Sequence, residues 1–196
     1  MSFHQTYDRP DPPLVGRWVS LAPLCSDHCL DLHRLFASAE MVGRWPRTEI
    51  SSTPSEFEDE LWRIAPINYV VLARGTHEVV GLVQGMNEDL ENSTIGLSAM
   101  LGSRQWRQGW PFEAVILMIR LLFEWHDFRK IYCQFSGSTS VGFSGAFGSW
   151  LNHEATFERH QRVGSGWEDW HIYSLFRDQW EAAVSVQPSQ GGPTPG

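Results

Sequence analysis

Lysine is almost missing: Lys130 is the only one in 196 residues, and arginine supplies the remaining cations. Lysine and arginine together number 15 against 23 acidic residues, a formal net charge of −8. Bulk binding to nucleic acid or to an anionic membrane needs a positive surface, so that balance argues against both. It leaves room for a basic or amine-bearing substrate. The lysine deficit itself reads mainly as a coding bias.

Cysteine is sparse too. Cys25, Cys29 and Cys133 are odd in number and lack the spacing of a disulfide framework. Cys25 and Cys29 stand four apart with no second ligand pair nearby in sequence, so free core thiols are expected and no metal. Long apolar runs are absent as well. The longest, 114–123, is broken by Arg120 and is too short to cross a bilayer. Residues 1–13 lack the basic-then-apolar pattern of a leader. A cytoplasmic enzyme without membrane or nucleic-acid partners is the expectation. No internal repeat is visible.

What is present suits one globular domain, with 42% hydrophobic and 19% charged residues. Residues 1–13 read as an N-terminal arm, 14–182 as the domain, and 183–196, rich in Pro, Gly, Ser and Gln, as a disordered tail. Alternation predicts a strand over 16–24, ended by Pro23. Ser26 is expected to cap a helix reaching about residue 40. Thr53-Pro54-Ser55-Glu56 is a helix start with a capping threonine and a proline in the first turn. Phe57, Leu61 and Trp62 should form the buried face of that helix. Strands are predicted over 68–73 and 78–83, joined by a hairpin turn at 74–77, and over 93–101 after an acidic turn at 87–92. A nearly all-apolar helix follows over 111–126, its polar exceptions Glu113, Arg120, Glu124 and Asp127 forming a thin wet stripe. A strand over 129–135, a short helix within 136–151 and a hairpin of strands over 153–162 and 167–177 complete the chain. The helix at 111–126 is long enough to return the chain for a locally parallel strand pair.

Between the strand at 93–101 and that helix lies a short loop holding Gly102, Arg104, Arg107, Gln108 and Gly109. Backbone donors and cationic side chains gathered at a helix N-terminus suit a phosphorylated ligand.

This order of elements resembles the GNAT acyltransferases, the acyl-CoA-dependent N-acyltransferase superfamily. The likeness is to its branch acting on ribosomal-protein N-termini, polyamines and antibiotic amines, and it covers about residues 15–180. VVGLVQG and STIGLSAML resemble the third and fourth strands of that family. GWPFEAVILMIRLLFEWHDFRKIYCQF resembles its central helix and following strand, and HEATFERHQRVGSGWEDWHIYSLFRDQW its C-terminal hairpin with a closing R-x-x-W. The resemblance implies a mixed, mostly antiparallel α/β sheet of about six to seven strands with a central parallel pair, flanked by about four helices. It also implies acetyl-CoA, or another acyl-CoA, as co-substrate, with no metal. The acceptor would be an amine, on a small molecule or a protein N-terminus. A dimer is common in that branch, which makes a homodimer an expectation.

Aligned on Glu113-Ala114, the family's pyrophosphate loop falls on residues 106–111. Gly109 keeps the central glycine, whereas Pro111 brings no N–H. The resemblance assigns the cofactor to Met100, Leu101, Gly102, Arg104, Arg107, Gln108, Gly109, Trp110 and Ser144. The usual asparagine falls near Thr139 and the usual thiolate-protonating tyrosine on or beside Phe147. The thiolate would then rely on water, Ser138 or Ser144. For the general base, Glu88 and His153 are the candidates carried forward, with Asp89, Glu154, His160 and His171 as competitors. Glu113, in the first helical turn, reads as structural. Trp45 and Trp62 fall where the family covers its acceptor. Two further readings stay open: a carrier-protein-bound acyl donor or other thioester chemistry, and a non-catalytic binding module.

Overall fold

The computed structural model describes residues 14–38, 53–102, 109–137, 150–163 and 165–185. Their elements run β1 (Leu14–Val15), β2 (Val19–Pro23), α1 (Ser26–Phe36), α2 (Pro54–Ile64), β3 (Ile67–Ala73), β4 (Val79–Asp89) and β5 (Thr94–Leu101). Then follow α3 (Trp110–Trp125), β6 (Lys130–Ser136), β7 (Asn152–Val163), β8 (Gly166–Phe176) and α4 (Arg177–Ser185). The strands form a single eight-stranded sheet ordered β1-β2-β3-β4-β5-β6-β8-β7. Among the described residues only β5 and β6 pair in parallel; the helical crossover through α3 permits it.

Each face of the sheet is covered for a reason visible in the strands. Val19, Leu21, Val71, Val83, Ile95, Leu97, Ile131 and Leu175 alternate onto one face and meet the apolar sides of α3. Val70 and Leu82 turn to the other face, where Leu32 and Phe36 of α1 and Phe57 and Leu61 of α2 pack on them. The start of α2 is as expected: Thr53 Oγ1 accepts from the Glu56 N–H at 3.2 Å.

Several boundaries differ from the sequence reading. The N-cap of α1 is Cys25, not Ser26, because the Ser26 hydroxyl donates instead to Glu58 on α2 at 3.0 Å. That helix stops at Phe36. Trp62 is 46% exposed, since it lies about 100° around the helix from Leu61. Strand β4 runs through to Asp89, and the turn predicted at 87–92 begins later; left-handed Asn87 (φ 51°) marks a bulge inside the strand instead. The C-terminal hairpin does not run straight into a tail, because Arg177–Ser185 is helical, with Asp178 in its first turn and Trp180 buried. The arm, the short helix expected within 136–151 and residues 186–196 fall wholly or largely outside the described residues.

Glu113 leaves the wet stripe of α3. Its carboxylate accepts from three consecutive backbone N–H groups, those of Arg17 (2.5 Å), Trp18 (2.8 Å) and Val19 (2.9 Å), and so ties the β1–β2 corner to the helix start. Arg120 and Glu124 do stay outside and pair with each other at 2.9 Å. Lys130 reaches across β8 to Glu154 at 2.6 Å, and Ser174 donates to the same carboxylate at 2.7 Å. The Lys130 hydrogen bond, then that of Ser174, holds the Glu154 carboxyl below its ordinary range.

Cys29 and Cys133 are core thiols as expected, but Cys25 is exposed at the start of α1. Burial, and for Cys29 the neighbouring Glu58 carboxylate as well, pushes both buried thiols up to about 12. At pH 8 only about one in ten thousand of either would be thiolate. Iodoacetamide should therefore add one carbamidomethyl group to the native protein, on Cys25, and three after denaturation. Peptide mass mapping checks this, and native modification of Cys133 would contradict it.

Candidate acyl-transfer site

Strands β5 and β6 stay paired only from Thr94↔Lys130 to Leu97↔Cys133. Beyond that point β5 runs on to Leu101 along β4, and β6 runs on to Ser136 along β8. Each strand follows its antiparallel neighbour, so the two parallel strands part and the sheet opens as a wedge. Its closed end is packed tightly: a Cβ on Gly96 would come within 3.2 Å of the Tyr132 ring and 3.1 Å of the Met86 carbonyl.

Backbone direction on β5 follows from one hydrogen bond. The Gly102 N–H donates to the Val80 carbonyl at 3.0 Å. Groups alternate along a strand, so those of Met100 and Ser98 also face β4, while those of Leu101 and Ala99 face the wedge. Gly81 lets this edge approach β4 closely, because a Cβ there would run into the Met100 carbonyl and the Leu101 side chain. Of the residues assigned to the cofactor from sequence, Leu101 thus turns its backbone to the wedge. Met100 turns its backbone to β4 and packs its side chain on the α1–α2 face.

Gly109 is the N-cap of α3 in a left-handed conformation (φ 76°, ψ 4°), and its carbonyl accepts from the Glu113 N–H at 3.1 Å. A Cβ there would meet nothing within 4 Å. Glycine is thus required by the backbone, and the space beside it is open. Trp110, next in line, packs against the α3-side core, and buried Pro111 occupies the first turn without an N–H to offer. Arg104, Arg107, Gln108, Ser138, Ser144 and Trp45 lie outside the described residues.

The two faces beside the wedge differ in chemistry. On the α3 face, His153 Nε2 lies 2.9 Å from Thr156 Oγ1, which lies 3.0 Å from His171 Nδ1. The Tyr173 ring lies edge-on to the His153 imidazole at 5.2 Å and tilted to that of His171 at 6.4 Å, and the far nitrogen of His171 would lie 3.9 Å from a Cβ on Gly137, just past the end of β6. His153 itself is exposed on the edge strand β7, with β8 between it and β6. On the α1–α2 face, Gln134 accepts from the Trp170 indole at 3.0 Å, and Asn68 and Gln84 form a buried amide pair. The sequence reading missed both of these features. Their signal was a polar residue inside an otherwise apolar strand, as in VVGLVQG. Glu88 is exposed near the far end of β4, beside Thr94, about 13 Å of strand from where the wedge opens. Trp62 faces outward on α2.

A mixed sheet whose one parallel pair parts beside a glycine-capped helix defines an acyl-transfer class of fold. The chain belongs to the GNAT acetyltransferase family: residues 19–138 match the model of the acetyltransferase (GNAT) domain. No curated protein sequence matches it. Solved structures agree on the fold. A ribosomal-protein-S5-alanine acetyltransferase from Vibrio fischeri superposes with a TM-score of 0.72 at 18% identity, covering 87% of this chain and 99% of that one. A GCN5-related N-acetyltransferase from Brucella melitensis gives 0.69 at 23% identity, covering 90% and 84%. A GNAT-family acetyltransferase from Bacillus anthracis gives 0.67 at 14%, covering 85% and 99%.

Proposed function

We propose that the protein transfers an acyl group, acetyl in the simplest case, from coenzyme A to a primary amine within a ternary complex. The observation that carries this reading is the wedge between β5 and β6 together with the left-handed glycine cap of α3. A thioester arm lying along β5 would add to the strand edge, with its carbonyl taking a hydrogen bond from the Ala99 N–H. Its pyrophosphate would sit at the start of α3, held by the amides around Gly109 and Trp110 and by Arg104 and Arg107. With Pro111 silent as a donor, the arginines carry more of that contact.

The amine nitrogen then attacks the thioester carbonyl carbon from the α1–α2 face. The C–N bond forms, the C–S bond breaks, and sulfur leaves with the electron pair as thiolate. The amine gives up one proton and the thiolate gains one. The amine's proton passes to water on the α1–α2 face; His171, backed by Thr156 and His153 on the opposite α3 face, would serve the departing thiolate, for which Ser138 remains the hydroxyl candidate. Most of the rate would come from holding the two substrates together.

Calorimetry with acetyl-CoA and thiol release over a panel of primary amines, including a peptide beginning with alanine, test the reading. Gly109→Ala should weaken acetyl-CoA binding about tenfold, because alanine lets the free loop relax out of the left-handed conformation and binding must restore it at about 1–2 kcal/mol. Arg104→Ala and Arg107→Ala should each weaken it as well. Turnover insensitive to both arginines would favour a carrier-bound donor, and absence of both binding and thiol release would end the proposal.

A further inference from the structure

The amide pair on the α1–α2 face is incompletely satisfied. Asn68 Nδ2 donates to the Ala65 carbonyl at 2.7 Å, which turns Asn68 Oδ1 toward β4. Gln84 Nε2 donates to that oxygen, also at 2.7 Å. A backbone carbonyl can only accept, so this chain fixes both amide orientations. The remaining atom, Gln84 Oε1, is buried and has no hydrogen-bond partner. Gln84 is 1% exposed and Asn68 2%. An unmet buried acceptor is uncommon in a native fold, and a strand interior lined by Leu82 and Val70 has no structural need of one.

Its position gives it a use. Asn68, Gln84 and Ser98 lie side by side across β3, β4 and β5 by register. Ser98 is the first residue of β5 beyond the parallel ladder with β6. The residue that carries the orphan oxygen therefore sits one strand, roughly 4.8 Å of backbone spacing, from Ser98 at the closed end of the wedge. It lies on the face opposite α3, the face from which the acceptor would arrive.

We infer that Gln84 Oε1 is the hydrogen-bond acceptor that holds the N–H of the incoming amine, making Gln84 a substrate-binding residue. The inference rests on the acyl-transfer reading above for the direction of approach. Gln84 takes no proton. It keeps one N–H occupied so that the nitrogen lone pair faces the thioester carbon, while a second N–H supplies the proton that is lost. A primary amine has both N–H groups; a tertiary amine has neither.

Two measurements decide it. Crystals soaked in methylamine, with and without coenzyme A, should show a nitrogen within about 3.2 Å of Gln84 Oε1. A water retained there under methylamine, or an oxygen still without a partner, overturns the inference. This soak needs no acyl donor, so it stands apart from the calorimetry that tests the acyl-transfer reading itself. In solution, Gln84→Met should raise the KM for methylamine about tenfold or more and leave the Kd of acetyl-CoA unchanged. An unchanged methylamine KM with a lowered Tm would make the amide pair structural only and overturn the inference as well.

Discussion

Replacing Arg177 by alanine should cost the fold about 3–5 kcal/mol, the largest loss expected of any single side chain outside the apolar core. The reason lies at the far end of α3. The last carbonyls of a helix have no partners within it and carry the negative end of its dipole. Here one guanidinium serves that region. Nη1 donates to the Phe123 carbonyl at 2.5 Å, Nη2 to His126 at 2.7 Å and Nε to Phe128 at 2.9 Å. The cation also lies 5.3 Å from the centre of the Phe123 ring. Its backbone N–H donates to the Arg129 carbonyl at 3.0 Å, which fixes β8 beside the start of β6. Trp180, one turn further on, packs its ring 6.4 Å from that of Phe123 and edge-on to Trp150. The R-x-x-W pattern is therefore a clamp: the arginine holds the helix end and the tryptophan covers it. Lysine gathers its donors on one nitrogen and cannot match three carbonyls served by three separate guanidinium nitrogens, so Arg177→Lys should recover less than half of the loss. Urea unfolding of the two variants checks this. Unfolding free energies within about 1 kcal/mol of wild type for both would remove the clamp from the account.

Glu113→Ala should destabilise by about 2–4 kcal/mol and leave kcat of the folded enzyme nearly unchanged. Three backbone donors lose one shared acceptor, and those of Trp18 and Val19 are partly buried, so water replaces it poorly. Glu113→Gln should be little better, because an amide nitrogen would be turned toward donors. Gly16 offers an independent approach. Any Cβ there would collide with the Glu113 carboxyl group, its Oε1 at 2.6 Å and Cγ at 2.8 Å. Gly16→Ala should thus reproduce much of the Glu113→Ala loss, and the double variant should fall well short of the sum. Thermal melts and steady-state kinetics below the melting range separate this role from catalysis. An intact Tm with kcat lost a hundredfold would make Glu113 the base instead.

Legibility in the sequence followed the range of the interaction. Thr53 caps α2 through a contact three residues away, and the sequence showed it. The apolar period of α3 likewise announced a helix packed on a sheet and, with it, the parallel pair of β5 and β6. Glu113 gave no such sign of its true role, since its partners lie 94 to 96 residues earlier in the chain. Helix α4 was overlooked because its first residue, Arg177, continues the alternation of β8; Asp178 in the first turn and the alanine pair were the signals available. Gly109 was legible as the start of α3 from its place before the apolar run. The direction of each β5 amide and the orphan oxygen of Gln84 were not, because they depend on register across three strands.

The ion pair of Lys130 with Glu154 carries one more consequence. Thioesters acylate accessible neutral amines without any catalyst, and an enzyme that concentrates a thioester exposes its own lysines to that chemistry. This chain has one lysine side chain, and it is engaged at 2.6 Å with a carboxylate that Ser174 also steadies, beneath the Phe176 ring. Arginine, held as guanidinium at any physiological pH, carries the remaining positive charge and does not react. The side chains of the protein thus present no unengaged amine to the kind of donor it is proposed to use, and the exposed Cys25 thiol is left as an accessible nucleophile.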